Sequence, residues 1–173
     1  MKFFKLIVAF ILFSFSGPVL GSEKASFYTV DMTKLLKQTV AGKKLISDNN
    51  FLRQSLQNEN DALEAELLLE EKDLSELRSS LSADEFRPKA LAFDQKVTII
   101  RLEQAQKEEN LLKIIRKKES DFYKNIYPLL YKLLSEHGGL ILLDQRNVVL
   151  WDSSVDITDE AIDMINRIFG DQK

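Results

Sequence analysis

The longest ordered pattern in the chain is a sparse one. From about Lys43 to Leu81 there is no glycine and no proline, and most positions are polar. Leu45, Leu52, Leu56, Leu63, Leu67 and Leu74 interrupt that run at spacings of 7, 4, 7, 4 and 7. An eleven-residue repeat corresponds to about 3.67 residues per turn, so the stripe stays on one face of a nearly straight or slightly right-handed helix. One narrow apolar stripe on a polar helix calls for a single partner helix. At 1.5 Å per residue the element is expected to run roughly 55–60 Å.

The partner is predicted just downstream. Ser79-Ser80-Leu81-Ser82 reads as a reversal, and Ser82 lies three residues before Glu85, the spacing of a capping box. The helix that starts there is predicted to reach about His137. Phe93, Val97, Ile100, Leu111, Ile115, Phe122, Ile126 and Leu133 are spaced 4, 3, 11, 4, 7, 4 and 7 along it. The two stripes match, so the helices can zip together antiparallel with a tip near 79–85. Pro88 is expected to bend or interrupt the first turns, and Pro128 to kink the helix. Arg101–Asn110 is almost wholly polar and should weaken the zipper.

Short β-type segments flank this excursion. Phe27-Tyr28-Thr29-Val30 is a strand candidate, and Asp31 can cap a brief helix through Leu35-Leu36. Gly138-Gly139 ends the long helix by allowing a left-handed residue. Leu140-Ile141-Leu142-Leu143 is a strand apolar on both faces. Asp144-Gln145-Arg146-Asn147 reads as a turn and Val148-Val149-Leu150-Trp151 as the second arm of a hairpin. Asp156 or Thr158 caps a final helix with Ile162, Ile165 and Ile168 on one face, closed by Gly170. The fold class is α+β: a long antiparallel helical hairpin, residues 43–137, projecting from a small β-rich body of residues 22–42 and 138–173. That body has about 57 residues, marginal for independent folding, and its apolar strand needs cover on both faces. An obligate oligomer is expected. Phe27, Val30, Ile141, Leu143, Val149, Trp151, Ile162 and Ile165 are the candidates for body core or subunit interface.

The first residues fall outside this scheme. A basic start, Met1-Lys2-Phe3-Phe4-Lys5, precedes an apolar run from Leu6 to Phe15 broken only by Ser14, then Gly17-Pro18 and Val19-Leu20-Gly21. That order reads as a secretory signal peptide, residues 1–21, cleaved after Gly21. The run falls short of the roughly 20 residues a membrane span needs. Such a leader implies export from the cytoplasm.

Charge and composition then remove several functions. The chain carries 24 basic and 27 acidic residues, and loss of Lys2 and Lys5 with the leader leaves 22 against 27, net −5. No basic stripe suggests nucleic acid. The absence of cysteine excludes disulfides, thiolate catalysis and thiolate metal sites. His137, the only histidine, sits at a helix C-terminus, where it complements the helix dipole. No glycine-rich phosphate loop and no nucleophile–base pair can be named. No enzymatic activity, metal or cofactor is expected.

Val30-Asp31-Met32 with Leu35-Leu36, the long charged hairpin, and Leu140-Ile141-Leu142-Leu143-Asp144 followed by Val148-Val149-Leu150-Trp151 and Asp156-Ile157-Thr158 together resemble the Skp/OmpH family of periplasmic chaperones for outer-membrane proteins. The resemblance implies a periplasmic homotrimer whose strands join in a central body. Its three helical arms surround a cavity that holds an unfolded outer-membrane β-barrel protein without nucleotide. This sequence departs from the family's best-known pattern in charge. Within residues 59–76, Glu59, Asp61, Glu64, Glu66, Glu70, Glu71, Asp73 and Glu76 face only Lys72, net −7, whereas Lys113, Arg116, Lys117 and Lys118 cluster nearer the body. Capture of acidic clients and contact with anionic membrane lipid are therefore not carried over to the arm's far end.

A holdase of this kind needs a thin apolar lining with many weak contacts, each contributing about 25 cal/mol per Å² covered. Phe51, Leu68, Leu69, Phe86, Phe93 and Ile99, apolar arm residues left over from the zipper, are the candidate client contacts. For each of them ordinary packing is the competing assignment, and the arm's acids also suit a solvated coiled-coil face. A structural coiled-coil adaptor of the cell envelope, binding a folded partner, is the alternative function.

Overall fold

The computed structural model describes residues 27–170. The predicted signal peptide lies outside them. In chain order the elements are β1 (Phe27–Val30), α1 (Met32–Gln38), α2 (Val40–Leu77), α3 (Ala83–Glu136), β2 (Ile141–Asp144), two single 3₁₀ turns (Gln145–Asn147 and Ser153–Val155) and α4 (Thr158–Phe169). The protein is mostly helical, with one small sheet.

At about 1.5 Å per residue, the 38 residues of α2 and 54 of α3 correspond to roughly 57 and 81 Å. Interhelix ion pairs show that they run alongside one another in opposite directions. Lys96 Nζ lies 2.8 Å from Glu66 Oε1 and 2.5 Å from Glu70 Oε2, and Lys107 pairs with Glu59. The eleven-residue stripes lie in the seam: Leu45, Leu52, Leu56, Leu63, Leu67 and Leu74 are half-buried, as are Phe93, Val97, Ile100 and Leu111. Burial deepens toward the chain ends, where Ile115, Phe122, Ile126 and Leu133 are buried. Asn49 and Asn60, which fall four residues after Leu45 and Leu56, also occupy the seam; Asn49 is only 7% exposed. They fill two of the three longer intervals of the leucine pattern with amides, and the side-chain oxygen of each is buried without a hydrogen-bond partner.

The reversal spans Arg78–Leu81, and Ser82 caps α3. The Ser82 backbone N–H donates to Glu85 Oε2 at 3.1 Å and its hydroxyl donates to the same oxygen at 2.6 Å. The Ser82 hydroxyl, then its backbone N–H, hold the Glu85 carboxyl below its usual value. Neither Pro88 nor Pro128 interrupts α3, which is continuous through both. Each proline removes one hydrogen bond, but both lie on the exposed side of the helix, where water can serve the freed carbonyl.

At the other end α3 stops in a Schellman turn. Gly138 has φ 68°, its N–H donates to Ser135 O at 3.0 Å, and the Gly139 N–H donates to Leu134 O at 2.9 Å. The chain then enters β2, which pairs in parallel with β1, Phe27 opposite Ile141 and Val30 opposite Asp144. The predicted hairpin is corrected here: Val148–Trp151 is not a strand in the described chain, and β1 is the neighbour of β2. Tight hairpin turns use residues with positive φ, and among the described residues only Gly138 has one. Asp144 instead folds the turn back with its own side chain, accepting from Arg146 N at 3.0 Å, and Val148 N donates to Gln145 O at 3.1 Å. Asp152 repeats the device by accepting from Ser154 N at 2.8 Å.

The core lies where β1, α1, the last turns of α3 and α4 meet. Val30, Leu35, Ile126, Ile157 and Ile165 are 0–2% exposed. Phe122, Leu130, Leu133 and Leu134 join the same cluster, so the last turns of α3 supply much of it. Three polar anchors tie the two ends of the chain together there. Asp31 caps α1 by accepting from Lys34 N, and its own N–H donates to Thr158 Oγ1 at 2.9 Å. Thr158 in turn donates to Asp156, which also accepts from Thr158 N at 2.9 Å. Ile157 N donates to Thr29 O at 3.0 Å. Asn166 of α4 accepts from Val40 N at the start of α2 at 2.8 Å. Gly42 permits the tight junction of α1 and α2: a Cβ there would lie 2.0 Å from the Leu36 carbonyl oxygen.

Candidate functional site

The chemistry-bearing residues do not converge. Among the described residues no group of three or more His, Asp or Glu side chains could hold a metal ion. The His137 ring sits beside Tyr28, centroids 5.1 Å apart, with Nε2 2.9 Å from Glu160 Oε2. That is a packing role at a helix terminus. What the surface offers is apolar area in places where a chain with a finished core would not leave it.

Four of the six candidate arm contacts are open. Phe51 is 73% exposed, Leu69 66%, Leu68 59% and Ile99 55%. Phe86 and Phe93 are half-buried. Phe86 lies under the Arg78 guanidinium, 5.8 Å from its ring centre, and Phe93 lies in the interhelical seam. Burying a leucine or phenylalanine side chain is worth about 1.5–3 kcal/mol, so each open residue holds unused binding energy. Leu91 and Leu102 are as exposed as these, at 56% and 67%, and the sequence reading passed over them. The signal was available, since both fall outside the seam spacing while sitting on helices that the spacing had already located.

The eight residues proposed as core or interface divide into two groups. Val30, Ile162 and Ile165 are buried within the chain. Phe27, Ile141, Leu143, Val149 and Trp151 are exposed, so they are not part of this chain's own core. Phe27, Ile141 and Leu143 share one face of the two-stranded sheet, because directly paired residues in register point the same way. The opposite face carries Tyr28, Val30 and Leu142 toward the core. Parallel sheets are ordinarily covered on both faces, and here the second face is closed only over Thr29, which is 3% exposed, and open at Phe27, Ile141 and Leu143. Val149 and Leu150 project further still, 92% and 87% exposed.

Beside that sheet is a cleft of about 510 Å³. Its walls include Met32, Tyr123, Tyr127, Leu130 and Tyr131, and Arg146 and Asp144 stand at its mouth. Tyr123 and Tyr127 stack with ring centres 6.3 Å apart. Burial pushes the Tyr123 phenol up. The Arg146 guanidinium donates to Asp144 Oδ2 through Nε at 2.9 Å and Nη2 at 2.6 Å, and holds that carboxyl below its usual range. Spacing along a helix places the three tyrosines on one face, but the cleft itself depends on β2 arriving alongside α3.

Comparison with known proteins adds a frame for this geometry. Curated proteins give no match. A crystal structure from Caulobacter crescentus CB15, described as a candidate outer membrane chaperone (OmpH-like), matches with a TM-score of 0.78 over 86% of this chain and 88% of that one. At 16% identity the likeness speaks to the fold. The family model for "Outer membrane protein (OmpH-like)" matches residues 26–165, which takes in every described element through most of α4. With long paired helices, a small parallel sheet and a family match that spans residues 26–165, the chain belongs to the OmpH-like family.

Proposed function

We propose that this protein is an ATP-independent periplasmic holdase that binds unfolded outer-membrane β-barrel proteins and keeps them from aggregating. The observation that carries the reading is the set of open apolar residues on the paired helices, Phe51, Leu68, Leu69 and Ile99, all more than half exposed although the helices are already packed together. An unfolded barrel protein exposes apolar strands that would otherwise pair edge to edge with their neighbours. A scaffold that offers many shallow apolar contacts competes with that pairing and still lets go. The family membership and the fold support this assignment.

The same reading assigns residues 43–137 to an arm and residues 22–42 and 138–173 to a trimerisation body, with residues 1–21 removed on export. The uncovered face of Phe27, Ile141 and Leu143, together with Val149 and Trp151, is the surface that sister subunits would close. In that assembly Val148–Trp151 gains the strand partner it lacks in a single chain. Leu143→Asp should dissociate the oligomer, because burying an unpaired carboxylate costs several kcal/mol. Light scattering of that variant at low micromolar concentration checks the interface, and a fully assembled L143D would show it to be misplaced.

The function itself is tested by diluting a urea-unfolded barrel protein into buffer with and without this protein and following turbidity. Suppression at near-stoichiometric ratio is the expected result. Unchanged aggregation would overturn the holdase assignment.

A further inference from the structure

Halfway along the paired helices, toward the reversal, α2 and α3 leave a groove of about 530 Å³. Its floor is apolar, made by Leu67 and Leu68 of α2 and Phe93 and Val97 of α3. Leu68 keeps 59% of its surface open, and Ile99, 55% exposed, lies just beyond Thr98 on the α3 side. The rim is acidic: Glu64 and Glu71 stand on one side and Asp94 on the other, with Arg101 as the one cation in the lining.

The carboxylates of this region divide by occupation. Glu66 and Glu70 are engaged by Lys96, and Glu59 by Lys107. Glu64, Glu71 and Asp94 have no ion-pair partner among the described residues. Free negative charge therefore stands at the edge of the apolar floor, as it also does elsewhere on α2, where Asp61, Asp73 and Glu76 have no ion-pair partner among the described residues. A purely solvated acidic face would not need an open leucine and isoleucine between its charges. A site for an acidic or uncharged chain would not carry three carboxylates against a single cation, Arg101, on its edge.

We propose that this groove captures extended client segments in which lysine or arginine stands next to apolar residues. The inference rests on the chaperone reading and adds to it the chemical class of the segment bound. The client's apolar side chain covers Leu68 and its neighbours, and the adjacent cation pairs with Glu64, Glu71 or Asp94. Each such pair at a solvated rim contributes little by itself, which suits rapid release. Electrostatic matching of this kind acts mainly on encounter rate and selectivity.

The test uses three fluorescent peptides with the same apolar residues, interspersed with Lys, Ser or Glu, titrated onto the purified protein by anisotropy. The lysine peptide is expected to bind about tenfold more tightly than the glutamate peptide, the sum of a few weak rim pairs. The preference should vanish in about 1 M salt, where the screening length is about 3 Å. It should also vanish in Glu64→Gln/Glu71→Gln/Asp94→Asn, whose surface amides leave the helices intact by circular dichroism. Leu68→Ser should weaken all three peptides alike. Equal binding of the three, or a preference that survives the triple variant, overturns the proposal. So does self-association of the protein that the triple variant abolishes, because the occupant would then be a second copy. Turbidity assays on the same samples separate the two readings. Suppression of barrel-protein aggregation with no charge preference sinks the groove alone, and a charge preference without suppression sinks the holdase alone.

Discussion

Replacing Asn49 with leucine should make this protein more stable, against the usual direction of core substitutions. Asn49 lies in the α2–α3 seam between Leu45 and Leu52, 7% exposed, with its side-chain oxygen buried and unpartnered. An orphaned buried acceptor costs about 1–3 kcal/mol. Leucine branches at the same carbon, removes that cost, and improves helix propensity by a few tenths of a kcal/mol. Its larger volume gives some of this back through crowding, at about 1 kcal/mol. The net gain is about 1–2 kcal/mol, which for a chain of this length raises the melting temperature by about 2–8 °C. Thermal unfolding followed at 222 nm, at one fixed protein concentration because assembly makes the midpoint concentration-dependent, measures it. Asn49→Asp serves as the control of opposite sign, since it buries a charge with no partner. A leucine variant that melts at or below the parent while the aspartate variant is tolerated would show that water reaches this layer, and the burial argument would fall.

Three further outcomes follow from single residues. Gly42→Ala should destabilise by about 1–3 kcal/mol despite alanine's better helix propensity, because the new methyl meets the Leu36 carbonyl oxygen at 2.0 Å; urea unfolding checks it. Asp156 governs part of the acid sensitivity. Burial raises its pKa, but the Thr158 hydroxyl and N–H, with Gln145 and the charge of Lys34, together outweigh burial and hold it below the usual carboxylate value. Its ionised form is thus favoured by folding, so its contribution is full above the unfolded carboxylate range, about 3.9, and is lost as pH falls through the lowered folded value. Asp156→Asn should flatten that part of the stability–pH curve below about pH 4, and an unchanged slope would refute the assignment. Gly138→Ala should cost about 1 kcal/mol by denying α3 its left-handed end, which a shift in denaturation midpoint would show.

The arm was legible because its information is local. A stripe at spacings of 7 and 4 can bury itself only along one helix face, a run without glycine or proline has no place to break, and Ser82 with Glu85 marks a start whatever surrounds it. The helix cap at Asp31 and the left-handed Gly138 are of the same kind, set within three residues, whereas the expected cap of α4 is corrected: Ile157 holds the N-cap position without a side-chain cap, and Asp156, one residue further out, accepts from Thr158 N. The polar members of the seam were hidden because Asn49 and Asn60 break the apolar pattern, although their position in two of the three longer intervals marks them.

The sheet was decided elsewhere. Leu140–Leu143 and Val148–Trp151 both carry strand-forming residues, yet pairing depends on which backbone arrives beside which. The Schellman turn after α3 and the clasp of Asp31, Thr158 and Asp156 bring β1 to β2 across more than a hundred residues. Asp144, holding Arg146, turns the following segment away. Sequence patterns report which faces are apolar but not what covers them. Only the assembled chain showed that Val30 and Ile165 are enclosed while Phe27, Leu143 and Val149 stay open, because enclosure depends on distant elements meeting and not on the residue's own neighbours in sequence.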